Sequence, residues 1–216
     1  MINISSIANR IASDWESPTS KRDAWRRKLP NGKFEYRYTD PNKKSPKTIQ
    51  PLKIPEIVET KIREEETRIY SDDIEHLIFM DNNGNKVIEL KGEKDYCPFD
   101  GHQSDLKDKW VTHNHPGGTS FSWQDLYLMK KYGAKGMRIT SKKYDYQVVF
   151  DPNSSITEED IKHQHFYADT EVRTAMYKRL SNNEITIPEA NAIHSHLVWL
   201  IVSKKLGFTY ERTEHK

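Results

Sequence analysis

Residues 110–125 read WVTHNHPGGTSFSWQD, and this stretch decides both the fold and the chemistry that the 216-residue chain can support. Its first six residues predict a buried strand, which the following proline stops. A Pro-Gly-Gly loop comes next, and Ser122 begins a predicted helix. Side chains alternate between the two faces of a strand, so His113 and His115 point the same way. The stretch therefore predicts a strand that carries two imidazoles side by side at its end.

The loop and the helix bring a carboxylate back toward these imidazoles. Asp125 follows His115 by ten residues and lies in the first turn of the predicted helix. Two His and one carboxylate leave a tetrahedral zinc ion one open position for water, whose pKa the metal lowers. The pair Ser122 and Asp125 also fits a helix cap with no catalytic role. The combination nevertheless predicts a metal centre at His113, His115 and Asp125.

Outside this stretch, hydrophobic periodicity and turn signals predict an α/β (α+β) fold. The order of elements within 68–151 suggests a mixed β-sheet sandwiched by helices. Strands are predicted at 76–81 and 86–91, which form a hairpin around an Asn83-Gly84 turn, and at 135–140 and 144–150. A short helix is predicted near 104–109, and longer helices at 3–16, 56–70, 157–180 and 187–205.

Three segments are predicted along the chain: a basic N-terminal arm at 1–55, the metal-binding core at 56–151 and a C-terminal helical extension at 152–216. The arm has twelve Lys and Arg against five Asp and Glu, a local charge of +7. It holds a predicted helix, a hairpin around Asn31-Gly32 and a Pro-rich linker. Alternating Arg and Tyr make residues 21–38 a candidate nucleic-acid contact, although cross-strand aromatic packing explains the same pattern.

Cysteine content and hydropathy indicate the cellular compartment in which the chain is expected to work. The single cysteine, Cys97, excludes an internal disulfide and a multi-cysteine zinc site. The first residues lack the layout of a secretory signal, and no apolar run is long enough to span a membrane. We therefore expect a cytoplasmic protein with no membrane contact.

Several other kinds of site are less compatible with the sequence. True HNH nucleases spread their histidines and asparagine over a ββα unit, so we regard Asn114 as the least informative of the three letters. The chain lacks the cysteines of zinc nucleobase deaminases and has no H-E-x-x-H helix.

Further histidines and the cysteine offer weaker candidate sites. The pairs His163/His165 and His194/His196 fall in predicted helices, where residues two apart face different directions. Cys97, with Asp100 and His102, is a candidate second metal cluster, but a buried thiol in a loop is the simpler interpretation.

The segment THNHPGGTSFSWQD resembles the signature of JAB/MPN (JAMM) metallopeptidase domains and the related RadC-like domains, most closely the phage-encoded versions. That signature is a distant Glu, H-x-H-P, a short loop and S-x-x-D, and the resemblance covers about 70–150. It implies that His113, His115 and Asp125 hold Zn²⁺, that Ser122 supports the oxyanion, and that Glu75 is the general base. Glu65 and Glu66 are weaker candidates for the base. The loop between the second His and the Ser has six residues, one fewer than in common JAMM enzymes.

The resemblance implies a zinc-dependent hydrolase, encoded by a phage or mobile element and active in the host cytoplasm. Its substrate would be an amide or isopeptide bond in a protein, such as a ubiquitin-like or phage structural protein. Two alternatives stay open: a RadC-like, metal-dependent nuclease that binds nucleic acid through 1–55, and a non-catalytic structural or interaction module.

Overall fold

A computed structural model of the chain describes two short strands near the N-terminus and the continuous range 53–215. The chain divides into two compact units, Met1–Thr48 and Ile49–Lys216. The division of the sequence at 55 and 151 stays a prediction.

In the first unit, strands β1 (Trp25–Lys28) and β2 (Phe34–Arg37) pair antiparallel, with Trp25 opposite Arg37 and Lys28 opposite Phe34. This pairing confirms the two predicted strands of the basic hairpin. The predicted helix at 3–16 and most of the predicted linker lie outside the described residues.

Within 53–215 the second unit contains four α-helices, one 3₁₀ turn and a six-stranded mixed sheet. The strand order is β4-β3-β5-β6-β7-β8; β5 and β6 run parallel, and every other neighbouring pair is antiparallel. This arrangement confirms the predicted α/β (α+β) class. In chain order the elements are α1 (Glu56–Ile69), β3 (His76–Met80), β4 (Lys86–Lys91), the 3₁₀ turn (Gln103–Leu106), β5 (Trp110–Asn114), α2 (Trp123–Lys131), β6 (Gly136–Thr140), β7 (Tyr144–Val149), α3 (Glu158–Ser181), α4 (Ile187–Leu206) and β8 (Thr209–Glu214).

Most predicted elements of this unit are present, and their ends differ from the predicted ones by a few residues at most. The β3–β4 hairpin turns at the predicted Asn-Gly pair, where Gly84 has a φ of +79°. Strand β8 was not predicted: it follows the end of α4 and pairs with the edge of β7. The C-terminal segment therefore contributes a strand to the sheet as well as helices.

The two faces of the sheet are covered by different helices. Helix α1 packs on one face, where its apolar side chains meet Ile78 and Trp110 in a buried cluster. On the opposite face, Trp199 of α4 is fully buried and its indole N–H donates to the carbonyl of Phe121 at 2.7 Å. Along 53–215, no helix is both long and apolar enough to cross a membrane.

A buried ion pair lies on the face that α1 covers. Two nitrogens of Arg138 in β6 donate to the two carboxylate oxygens of Glu66 in α1, at 2.7 and 2.8 Å. The hydroxyl of Thr112 donates to the same carboxylate at 3.0 Å. Because both charged side chains are about 95% buried, Glu66 depends on Arg138 for compensation of its charge, whereas Arg138 also contacts Asp145 at 3.4 Å.

We expect Arg138→Met to lower the free energy of unfolding by about 3–5 kcal/mol, because Glu66 would be left buried without its cation. The matched control is Arg173→Met, since Arg173 pairs with Asp169 at 2.8 Å but its side chain is 58% exposed. The control should cost less than about 1 kcal/mol in urea denaturation. Equal losses for the two variants would contradict the importance of the buried pair.

Candidate metal centre

Strand β5 holds the two histidines of the candidate site side by side. It lies inside the sheet, with His113 opposite Leu77 of β3 and Ile139 of β6. Pairing continues one residue past the strand, because the amide of His115 donates to the carbonyl of Thr140 at 2.9 Å. The two Nε2 atoms lie 2.7 Å apart. The predicted orientation of the imidazoles is thus confirmed.

The loop after β5 fixes the orientation of the second imidazole. The amide of Gly118 donates to the carbonyl of His115 at 2.9 Å, closing a turn with Pro116 at its second position. Gly118 has a φ of +76°, a conformation that other residues rarely adopt. The turn places the carbonyl of Thr119 at 3.1 Å from Nδ1 of His115. A proton on Nδ1 donates to that carbonyl and leaves a lone pair on Nε2.

Helix α2 delivers the carboxylate through a capping box. Ser122 is the N-cap: its hydroxyl accepts from the amide of Asp125 at 3.1 Å, and its own amide donates to Oδ2 of Asp125 at 2.6 Å. The same Oδ2 lies 4.0 Å from Nε2 of His115. An ionised carboxylate has about four lone-pair sites, so the cap leaves Asp125 able to bind a cation. Capping and coordination are compatible here.

These three side chains can hold a metal ion. One ligand atom each of His113, His115 and Asp125 lies within 4.8 Å of the others, and no other such group of three occurs in the described part of the chain. Burial, and then the neighbouring His115, hold the pKa of His113 well below its usual value. A neutral imidazole is the form that binds metal, and two facing Nε2 lone pairs need a cation or a shared proton between them. The donor set therefore fits a divalent ion such as zinc.

Glu75 lies beside this group, at the residue before β3. Its Oε1 is 3.9 Å from Nε2 of His115, and its side chain is 14% exposed. Burial, the charge of Asp125 and the charge of Asp95 raise its pKa to about 7. A carboxyl group with this pKa can accept or release a proton near neutral pH.

The two weaker base candidates make other contacts. Glu65 pairs with Arg68 of α1 and Lys86 of β4 at 2.7 and 3.0 Å. Glu66 is bound by Arg138 on the face of the sheet opposite to the imidazoles. Of the three carboxylates, Glu75 is the one that lies against a candidate ligand.

The members of the helical pairs His163/His165 and His194/His196 contact different groups and form no shared site. His165 packs against the ring of Trp199 with centroids 4.9 Å apart, and Nδ1 of His196 is 2.9 Å from the Tyr210 hydroxyl. His163 is largely exposed, and Nε2 of His194 lies 3.2 Å from Asp169. These positions agree with packing and surface roles.

Cys97, Asp100 and His102 are not brought together as a metal-binding group. His102 instead pairs with Asp105 at 3.0 Å. The thiol of Cys97 is half-buried, and burial followed by the charge of Glu75 raises its pKa to about 11. These contacts favour the interpretation of Cys97 as a loop thiol rather than as a metal ligand.

Sequence reasoning missed two residues that shape the site. Asp95, in the loop after β4, contributes to the field around Glu75. Asn114 is fully buried, and its side chain contacts the backbone on both sides of Glu75. The only signal for Asn114 was its place between the two histidines, since strand alternation directs its side chain to the opposite face.

Comparison with known proteins adds no relative to this description. No family model, no curated protein and no solved structure matches the chain.

We expect the purified chain to bind about one Zn²⁺ per molecule and His113→Ala to lose that ion, because the variant removes one of three ligands. The matched control is His163→Ala, since that side chain is 69% exposed on α3. Metal content after dialysis, measured by atomic emission, provides the test. Wild-type stoichiometry in His113→Ala would contradict the assignment of the site.

The raised pKa of Glu75 predicts a pH-dependent stability of the metal-free chain. Because the folded pKa of about 7 exceeds the unfolded value of 4.5, the contribution of this group is complete below about pH 4.5. It is lost as the pH rises through 7. At pH 8, Glu75→Gln should be more stable than wild type by about 2–3 kcal/mol, and the difference should shrink toward pH 5.

Urea denaturation in the presence of a chelator measures this difference. Glu93→Gln is the matched control, because Glu93 is exposed in the loop that follows β4. It should leave the pH profile of stability unchanged. A gain for Glu75→Gln that is equal at pH 5 and pH 8 would argue against a raised pKa.

Proposed function

We propose that this chain is a zinc-dependent hydrolase that cleaves an amide or isopeptide bond in a protein substrate. The observation that carries the proposal is the convergence of His113, His115, Asp125 and Glu75 at the end of β5. Three candidate ligands with an adjacent carboxyl group of near-neutral pKa form the combination that metal-assisted hydrolysis requires. The resemblance of THNHPGGTSFSWQD to JAB/MPN signatures supports the same reaction class.

Zinc held by His113, His115 and Asp125 would supply a Lewis acid that polarises a carbonyl and lowers the pKa of a water molecule. Each of the three side chains is constrained by the fold. The pairing of β5 with β3 and β6 fixes the first histidine, and the Thr119 carbonyl orients the second. The capping box holds the carboxylate.

Glu75 acts as the general base in this proposal. Its carboxylate takes a proton from the attacking water and passes it to the departing amine. Its pKa of about 7 in the metal-free chain comes from burial and from two like charges. A cation at the His pair would oppose that repulsion and favour the ionised form, which is the form that accepts a proton.

Ser122 stabilises the oxyanion. Its oxygen accepts the capping bond from the amide of Asp125, so the hydroxyl proton is free of that bond. The residue is exposed at the start of α2, where the partial positive charge of a helix N-terminus also favours an anion. A hydroxyl at this position can donate to the oxygen that gains charge during attack on an amide.

The charges around Glu75 favour an amide over a phosphodiester. The charged groups that shift its pKa are Asp125 and Asp95, both negative. Zinc would offset the charge of Asp125, so the like charge left for a nucleic-acid backbone to meet is that of Glu75 and Asp95, whereas a neutral amide meets none. A ubiquitin-like conjugate or a phage structural protein suits this preference. The proposed setting is the reducing cytoplasm, with which a single cysteine is compatible.

The test is a set of parallel assays on zinc-loaded protein with an isopeptide-linked substrate and with single- and double-stranded DNA. We expect cleavage of the isopeptide bond, a loss of about 100- to 10,000-fold in Glu75→Gln, and wild-type rates in Glu93→Gln. Ser122→Ala should lose about 100- to 1,000-fold in kcat. Zinc content is measured for every variant, so that loss of the ion is separated from loss of the base.

Two outcomes would overturn the proposal in different directions. DNA cleavage that Glu75→Gln abolishes, without any peptidase activity, would favour the nuclease alternative with residues 21–38 as a nucleic-acid contact. Bound zinc without cleavage of any substrate would favour the interaction module.

A further inference from the structure

Asn114 lies between the two candidate ligands but faces away from them. Its side chain is fully buried on the face of the sheet opposite to the imidazoles. Oδ1 accepts from the amide of His76 at 2.7 Å, and Nδ2 donates to the carbonyl of Ile74 at 2.9 Å. Nδ2 also lies 3.4 Å from the carbonyl of Asp72. Every hydrogen-bonding group of the amide therefore contacts the backbone of the segment that enters β3.

The two shorter bonds bracket Glu75. One goes to the residue before it and the other to the residue after it, so the amide of Asn114 spans its backbone. On the other side, the amide of Glu75 donates to the carbonyl of Glu93 at 2.7 Å, and its carbonyl accepts from Gly92 at 2.8 Å. The backbone of Glu75 is thus fixed from both flanking segments, and Asn114 supplies the only side chain among these contacts.

We propose that Asn114 is a positioning residue that holds the Glu75 carboxylate beside the His113–His115 pair. This inference rests on the proposed function, because a base requires a reaction to act on. One strand then fixes both parts of the site: alternate residues of β5 present the ligands on one face and anchor the base from the other. The distance of 3.9 Å between Oε1 of Glu75 and Nε2 of His115 is the quantity that Asn114 controls.

The chemistry of the position explains why it carries an amide. The contacts demand one acceptor, for an N–H, and one donor, for a carbonyl, on the same short side chain. Asp would place a carboxylate against the carbonyl of Ile74, and Ala would leave the buried amide of His76 and the partly buried carbonyl of Ile74 without this partner. Asn satisfies both with a planar group.

The main experiment compares Asn114→Ala with Thr112→Val in the zinc-loaded protein. Thr112 is the matched control: it is fully buried two residues earlier on the same face, and its hydroxyl bonds to Glu66, away from the site. We expect Asn114→Ala to keep its zinc and its KM within about threefold and to lose about 100-fold in kcat, because a base displaced by about 1 Å loses that much. Thr112→Val should lose comparable stability but keep its kcat.

A double-mutant cycle tests whether Asn114 acts through Glu75. If it does, adding Asn114→Ala to Glu75→Gln produces no further loss in kcat, since the base is already absent. Independent, multiplying losses would overturn the inference, and so would a wild-type kcat in Asn114→Ala or loss of zinc from that variant. Should Asn114→Ala fail to fold, Asn114→Thr, which suits a strand and can make one of the two bonds, takes its place with an intermediate loss expected.

A readout without turnover separates this inference from the proposed function. Crystal structures of wild type and Asn114→Ala give the distance from Oε1 of Glu75 to Nε2 of His115, and we expect it to lengthen in the variant. If wild type hydrolyses no substrate but the distance lengthens, the proposed function fails and the positioning role stands. If the distance is unchanged, the positioning role fails whatever the activity.

Discussion

The alternation of side chains along β5 is the constraint on which the whole candidate site depends. The strand lies inside the sheet and is paired on both edges, so neither its register nor its twist can change without disturbing its neighbours. His113 and His115 consequently emerge on one face, while Thr112 and Asn114 emerge on the other. A slip of one residue would exchange these two sets and remove the ligands from Asp125. The rigid part of the fold, rather than a loop, sets the distance between the imidazoles.

This arrangement buries four consecutive polar residues, 112–115, at the end of a central strand, and their burial costs free energy unless they are compensated. Thr112 is compensated by the carboxylate of Glu66, and Asn114 by backbone groups before β3. The imidazoles differ, because their Nε2 atoms face each other and Nδ1 of His113 has no partner among the described atoms. Buried polar groups in proteins are normally satisfied, and the exceptions concentrate where a ligand is meant to bind. Nε1 of Trp110 on the same strand also has no partner in the described part of the chain, so the facing Nε2 atoms, rather than the missing partner of Nδ1, distinguish the histidines from the structural polar residues beside them.

Local patterns in the sequence predicted the elements whose signals are local. The Asn-Gly turn, the Ser122 cap and the alternation along 110–115 each depend on neighbours within a few residues. Strand β8 was missed because only Phe208 and Tyr210 show alternating burial in an otherwise polar segment, and its pairing depends on the free edge of β7. Edge strands of this kind are specified by the partner more than by their own composition.

For the same reason, the sequence predicted the ligands of the candidate site better than the surroundings of its base. Spacing alone places His113, His115 and Asp125 together, because strand and helix geometry are regular. Spacing does not show which carboxylate is the general base. Glu66, for example, is neutralised by Arg138, and this partner lies 72 residues away in the chain.

The environment of Glu75 is likewise built from distant groups. Asp95 and Asp125 surround it, and Asn114 anchors its backbone from the next strand. The letter of H-N-H that seemed least informative is thus the one that connects the base to the ligands. Such a role depends on which strand lies beside β5 and in which register. A residue that faces away from a site can therefore be as necessary to its geometry as one that faces it.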